Sequence, residues 1–426
     1  MLAIINPGYI QGTVTAPASK SMMQRACAAA LLHTGKTIIH NPGRSDDDKA
    51  ALQIIQQLGA TVEHTATGAI EITSNGVMPV SNAIDCCESG LSARLFAPIA
   101  AMGNSEITIK GKGSLLKRPM EAFGELYTTL GVSLVNFEGF IPYSIKGPLH
   151  AADIEIDGAA SSQFLTGILF AFAHTAKERV VIKVNSLKSK PYIDLTLDIL
   201  NRFGKTILHN NYKEFYIDPV LFQHKGTVSI TIEGDWSSAA CWMVAGAIGG
   251  NITISGLDTK STQADKGILD VLVNAGVIIN RENNSITVSK STISGFEYDA
   301  TNSPDLFPIL SILAAYSKGE SLITGVHRLW NKESNRAESI TEMLHLFDVP
   351  YSIEEDDMCI NGRGWCDGAT VDACNDHRIV MAAAIAALRA DGPVTIVGAK
   401  AVSKSYPDFF KDLASLGIDC TFNSVI

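Results

Sequence analysis

The chain has no apolar run of bilayer length. The longest, from Ile379 to Leu388, falls well short of the roughly 20 residues that a membrane-spanning helix needs. Basic residues are outnumbered: 34 Lys and Arg stand against 44 Asp and Glu, for a formal net charge of −10. That balance, with no basic stripe interleaved with aromatics, argues against nucleic acid or an acidic membrane as the main partner. The eight cysteines include no C-x-x-C pair and no His at metal-ligand spacing. Cys86 and Cys87 are adjacent, which suits neither a disulfide framework nor a zinc site, so all eight read as reduced cytosolic thiols and no metal is expected. Met1 leads straight into the strand-like AIINPG, so no signal sequence is expected and the reading is cytoplasmic. No long structureless linker interrupts the chain.

What is present is a repeat. An amphipathic helix, then Gly, then a β-like run recurs as LQIIQQLGATVE, FGELYTTLGVSLV, LDILNRFGKTIL, LDVLVNAGVIIN, EMLHLFDVPYSI and FKDLASLGIDCTF. The residues that end these helices are Gly59, Gly131, Gly204, Gly276, Asp348 and Gly417, separated by 72, 73, 72, 72 and 69 positions. Gly supplies the left-handed conformation that closes a helix, and Asp tolerates it. Six copies of one unit follow. A second series of polar helix starts runs in step, marked by Ser19, Ser89, Ser161, Ser237, Ser303 and Asn375. The helices behind these markers are rich in Ala, Gly and Ser (AACWMVAGAIGG, RIVMAAAIAAL) and can be buried on all sides. Val-, Ile- and Thr-rich strands such as EITIKG and TVSITIEG separate them. With 426 residues, of which 46% are apolar and 18% charged, the chain holds two or more domains with sizeable cores.

The chemistry concentrates at these helix starts. In Pro17-Ala-Ser-Lys-Ser21, Ser19 and Ser21 are cap candidates for a helix carrying Lys20 at its first turn and Arg25 further in. Backbone N–H groups and the positive dipole end there suit an anion. Arg118, Lys332, Arg336, Arg378 and Lys404 fall beside similar starts or in short loops near them. Carboxylates stand among these cations: Glu333 lies between Lys332 and Arg336, and Asp305 opens an apolar helix after Ser303-Pro304. Each could tune a proton in a shared cleft, or could serve only as a cap or an ion-pair partner. A cationic pocket in an acidic protein points to small polyanions.

The stretches PASKSMMQR, SGLSAR, KRPMEAF, SSQFLTG, SKPYIDLT, EGDWSSAA, KESNR, NDHR and KSYPDFF, in this order, resemble the 3-phosphoshikimate 1-carboxyvinyltransferase (EPSP synthase) family across essentially the whole chain. The resemblance implies a two-domain inside-out α/β barrel, each domain holding three copies of a β/α unit about a pseudo-threefold axis. One domain would comprise 1–17 plus 234–426 and the other, inserted, 18–233, with the active site in the cleft between them. It also implies transfer of the enolpyruvyl group of phosphoenolpyruvate to the 5-hydroxyl of shikimate 3-phosphate, without metal or organic cofactor. No exposed apolar stripe stands out in the sequence, so a monomer is expected.

Carried over by position, Ser161, Ser162 and Ser189 would hold the shikimate phosphate, and Ser21 and Arg25 its carboxylate. Lys332 and Asp305 would meet the ring hydroxyls, with Gln163 and Tyr192 close by. Arg118 and Lys404, helped by Gln163 and the Gly90 backbone, would clamp the phosphate of phosphoenolpyruvate, and Arg336 and Arg378 its carboxylate. Lys20 would lie between the ligands. Asp305 is the expected base and Glu333 the proton donor and acceptor, while Asp376 and His377 would orient Arg378.

Two departures stand out: Glu88 where the family often has an amide, and Asn335 where it often has Asp. The sister UDP-N-acetylglucosamine enolpyruvyl transferase usually carries a reactive Cys in the loop that here reads KGKGSLLKR, from Lys110 to Arg118, without one. A catalytically silent binding protein of the same fold is the other alternative.

Overall fold

A computed structural model describes residues 1–159, 161–282 and 284–423. The chain divides into two compact units, 1–17 with 233–426 and 18–232. Glu233 falls in the discontinuous unit rather than in the inserted stretch expected for it. Ser261 Oγ and Gln263 Nε2 donate to its carboxylate at 3.0 and 2.9 Å and tie it to that unit.

Among the described residues six four-stranded sheets share one plan, three in each unit. A parallel pair is followed by two antiparallel neighbours. In one sheet Ala83–Asp85 runs parallel to Glu106–Lys110, which pairs antiparallel with Tyr143–Lys146 and through it with Ser133–Val135. The sheet of Ile154–Asp157, Val180–Asn185, Glu214–Ile217 and Leu208–Asn210 repeats that order. Burial alternates along the strands, as in Val180–Asn185, so one face of each sheet is covered. Strands from the far end of each unit's sequence complete its sheets. Val228–Thr231 joins the sheet of Gly35–His40, and Leu2–Ile5 lies between Val394–Val397 and Cys420–Asn423.

The helices behind the polar starts fill the interior. Gly90–Ala100, Trp236–Gly249, Phe307–Ala315 and His377–Ala386 are buried along their whole lengths. Small residues allow this, since neighbouring backbones approach closely. Gly59, Gly131, Gly204, Gly276 and Gly417, with Asp348 at φ 54°, all adopt the left-handed conformation expected of the residue that ends each amphipathic helix.

Ser19, Ser89 and Ser161 cap their helices through side-chain oxygens that accept from Met22, Ser92 and Gln163 N–H. Two markers differ by one or two positions. Asp235 and Asp376, not Ser237 and Asn375, accept the helix N–H groups in their repeats. The carboxylate one or two residues earlier or later has the better reach to the cap N–H, and Ser237 instead donates to Asp265. Ser303 precedes a short 3-10 turn and makes no side-chain cap.

Within the inserted unit, the Ser162–Thr175 helix packs on Gly90–Ala100 at Gly167. Pro98 cannot donate to the Arg94 carbonyl, and a Cβ at Gly167 would collide with that same carbonyl and press on Pro98. Gly167→Ala is therefore expected to lower stability by about 1–3 kcal/mol through overpacking, read as a fall in the urea midpoint at unchanged slope.

Candidate active site

In the inserted unit three helix starts are wired together by side chains. Gln24 Oε1 accepts from Ser89 Oγ and Ser92 Oγ at 3.1 and 3.0 Å, linking the Lys20–Leu32 and Gly90–Ala100 helices. Arg94 Nη1 donates to Gln163 Oε1 at 2.9 Å, and its Nη2 donates to the Pro119 carbonyl at 3.0 Å. Arg94 thus joins the Ser162 helix start to the segment that carries Arg118. The Arg118 guanidinium lies against Gly90, where a Cβ would overlap it. Arg118 is only 7% exposed, so its charge sits in a confined space at a helix N-terminus.

Arg25 is 1% exposed and three of its nitrogens already have protein partners. Nε donates to Thr196 Oγ1 at 2.9 Å, Nη1 to the Ser21 carbonyl at 2.9 Å and Nη2 to the Tyr192 carbonyl at 3.2 Å. Burial lowers its pKa to about 10, with the Tyr192 phenol opposing the shift. Lys20 pairs with Asp47 at 3.0 Å, a partner supplied by the acidic first turn of the Asp46–Gln57 helix. Ser189 sits at φ 55° at the head of the Lys190–Arg202 helix. The loops before Ser161 and Ser189 are joined by Gly158 N–H to the Asn185 carbonyl at 2.8 Å and by Lys188 N–H to the Gly158 carbonyl at 3.4 Å.

In the discontinuous unit, Asp305, Lys332, Glu333, Arg336 and Arg378 come together around one guanidinium. Arg336, with no exposed surface, donates from Nε to Asp376 Oδ2 at 2.8 Å, from Nη1 to Asp305 Oδ1 at 2.8 Å and from Nη2 to Glu333 Oε2 at 2.7 Å. Asp305 keeps 28% of its side chain exposed and also faces Lys332 Nζ at 3.6 Å and Arg378 Nη2 at 3.4 Å. Burial alone would raise its carboxyl, but Lys332, Arg378 and Arg336 outweigh it and hold the group well below the usual carboxylate range.

Arg378 is buried, and its Nε and Nη1 have no hydrogen-bond partner among the described residues. Asp376 both caps its helix, accepting from Arg378 N–H at 2.9 Å, and grips Arg336. Lys404 Nζ donates to the Asn375 carbonyl at 2.6 Å, which places it beside the same helix start. Beneath lies Asp265, hydrogen-bonded by Ser237 Oγ and pushed up to about 7 by burial and then by Asp305.

Asp47, Arg94 and Asp265 were missed by the residue-by-residue reading. Asp47 lay in a run of three aspartates and Arg94 inside the SGLSAR stretch, so the signal was present as charge without a visible partner.

The repeats, with these cationic helix starts and interlocked carboxylates, define a six-repeat α/β protein with basic side chains gathered at its buried helix starts. The sequence signature of EPSP synthase (3-phosphoshikimate 1-carboxyvinyltransferase) matches residues 4–413. A 3-phosphoshikimate 1-carboxyvinyltransferase of Clostridium kluyveri is 36% identical over 97% of this chain and 96% of its own. One of Clostridium acetobutylicum is 36% identical over 97% of both chains. A solved EPSP synthase structure from Acinetobacter baumannii superposes with a TM-score of 0.83 at 27% identity, covering 99% of this chain and 100% of that one. The chain belongs to the EPSP synthase family.

Two measurements test the electrostatics. Arg336→Met strands three carboxylates around a buried apolar side chain and is expected to cost about 3–5 kcal/mol in urea unfolding. Because Arg336 helps to hold Asp305 low, protonation of Asp305 should shrink the loss toward acid pH. Lys332 is lowered to about 8, first by burial, with Asp305 opposing. Between about pH 8 and the ordinary lysine value of 10.5 the unfolded chain therefore binds a proton that the folded chain has lost. Stability from this group rises with pH across that window, and Lys332→Gln should remove the rise.

Proposed function

We propose that the chain transfers the enolpyruvyl group of phosphoenolpyruvate to the 5-hydroxyl of shikimate 3-phosphate, releasing phosphate, in the route to chorismate. Membership of the EPSP synthase family over residues 4–413 carries this reading. The Asp305–Arg336–Glu333–Arg378 cluster supports it, because each substrate carries a phosphate and a carboxylate and the reaction moves protons between them.

Ser161, Ser162 and Ser189 take the shikimate phosphate. Ser21 and Arg25 take its carboxylate, with Gln163 and Tyr192 nearby. Arg118, Lys404 and the Gly90 backbone take the phosphate of phosphoenolpyruvate. Its carboxylate goes to Arg378, whose Nε and Nη1 are open among the described residues, and to Arg336. Arg336 must then exchange part of its hold on Asp305 or Glu333 for the ligand. Lys20 lies between the substrates and Lys332 at the ring hydroxyls.

The proton steps balance without another reactant. Asp305 accepts the proton of the 5-hydroxyl as its oxygen bonds to C2, and Glu333 delivers a proton to C3. Removal of a C3 proton by Glu333 then re-forms the double bond as the C2–O bond to phosphate breaks, and the proton held by Asp305 leaves with the phosphate, so both carboxyl groups return to their starting states. At rest Asp305 is a weak base, held low by three cations. Anionic substrates neutralise those cations and raise its proton affinity when the hydroxyl is in place. The protein acts in the cytoplasm as a monomer.

Phosphate release with both substrates tests the reading, and folded protein that releases none would overturn it. Asp305→Asn and Glu333→Gln are each expected to lose about 10²–10⁴-fold in kcat. Titration calorimetry should still detect shikimate 3-phosphate binding. Near-normal turnover in either variant removes the role assigned to it.

A further inference from the structure

Glu88 takes no part in the chemistry above, yet its carboxylate is built into the fold. It stands one residue before Ser89, the cap of the Gly90–Ala100 helix. Glu88 Oε2 accepts from both the N–H and the Oγ of Ser114, each at 3.3 Å. The carboxyl packs so closely on Gly113, itself at φ +58°, that any Cβ there would collide with it. Two backbone bonds run alongside: Lys112 N–H to the Cys87 carbonyl at 2.7 Å and Cys86 N–H to the Lys110 carbonyl at 2.8 Å. Leu115 is fully buried. Arg118 N–H then returns to the Leu115 carbonyl at 3.1 Å, and Arg94 holds the Pro119 carbonyl. The turn from Gly113 to Lys117 is therefore fastened at both ends, by Glu88 before it and by Arg94 after it. Arg118 leaves that turn with its guanidinium against Gly90.

We infer that Glu88 is a positioning residue for Arg118, latching the Gly113–Lys117 turn to the head of the Gly90–Ala100 helix and so setting the affinity for phosphoenolpyruvate. The inference rests on the reading of Arg118 as a phosphoenolpyruvate ligand. The latch works through hydrogen-bond acceptance and shape. A carboxylate near an anion site could instead act by repulsion, and the two accounts predict opposite results.

The test measures KM for each substrate, and kcat, in Glu88→Ala, Glu88→Gln, Arg118→Ala and the Glu88→Ala/Arg118→Ala pair. A latch predicts that Glu88→Ala raises KM for phosphoenolpyruvate about tenfold, the factor that a lost hydrogen bond to a charged group represents. Its kcat and its KM for shikimate 3-phosphate should stay within about twofold, because Arg118 is only displaced. Glu88→Gln, which keeps the acceptor oxygen, should return KM for phosphoenolpyruvate to within about twofold of the unsubstituted protein. In the Arg118→Ala background Glu88→Ala should add nothing. If Glu88→Ala and Glu88→Gln both lower KM for phosphoenolpyruvate, charge repulsion is the effect and the latch is overturned. An unchanged KM in Glu88→Ala beside a raised one in Arg118→Ala also overturns it. If Arg118→Ala itself leaves KM unchanged, the reading of Arg118 fails, and the latch as a determinant of affinity goes with it. Should Glu88→Ala fold poorly, the Glu88→Gln value still decides between acceptor and charge.

Discussion

A guanidinium sealed from water needs polar partners in place of the water it has lost, and Arg336, sealed completely, finds them in three carboxylates. Desolvating such an ion costs several kcal/mol, and the three carboxylates that offset the cost come from two different repeats. Asp305 opens one buried helix, Asp376 opens the next, and Glu333 lies one turn before Arg336 itself. The requirement to satisfy Arg336 fixes where Asp305 sits, and Lys332 and Arg378 then gather on Asp305's remaining surface. Proton affinity, ligand charge and local stability are thus coupled through one buried side chain.

The inserted unit solves a related problem with less charge. Its helix starts are held by hydroxyls and amides, with Gln24 spanning two helices and Arg94 spanning a helix and a loop. Arg25 is satisfied by two carbonyls and a hydroxyl, so its positive charge is offset by no carboxylate hydrogen-bonded to it in the described structure. Lys20 in the same unit is paired with Asp47, so the contrast lies between Arg25, held by neutral oxygens, and Arg336, held by carboxylates.

The repeat was plain in the sequence because helix ends obey local stereochemistry: a left-handed residue is needed, and Gly or Asp appears every seventy or so positions. Fold class followed from that period and from the buried, small-residue helices. Cap identity was legible only to within a residue or two, since Ser237 and Asp235 are both capable caps and reach decides between them. The candidate site was legible as a set of residue types through family resemblance. Its pairings were not. Arg94 and Gln163 are 69 positions apart, and nothing local marks Asp47 as the partner of Lys20 or Asp265 as a buried carboxyl whose proton affinity Asp305 helps to raise. Such partnerships are products of packing, which a linear pattern does not encode.

The sheet that holds Leu2–Ile5 between Val394–Val397 and Cys420–Asn423 has a temporal meaning. A ribosome releases residues 18–232, with every strand of that unit's three sheets, before most of the discontinuous unit exists. Leu2–Ile5 must wait, unpaired along both edges, until Val394–Val397 and Cys420–Asn423 have emerged. Assembly is therefore ordered by connectivity: the inserted unit matures early, and Leu2–Ile5, made before it, finds its neighbours only after it.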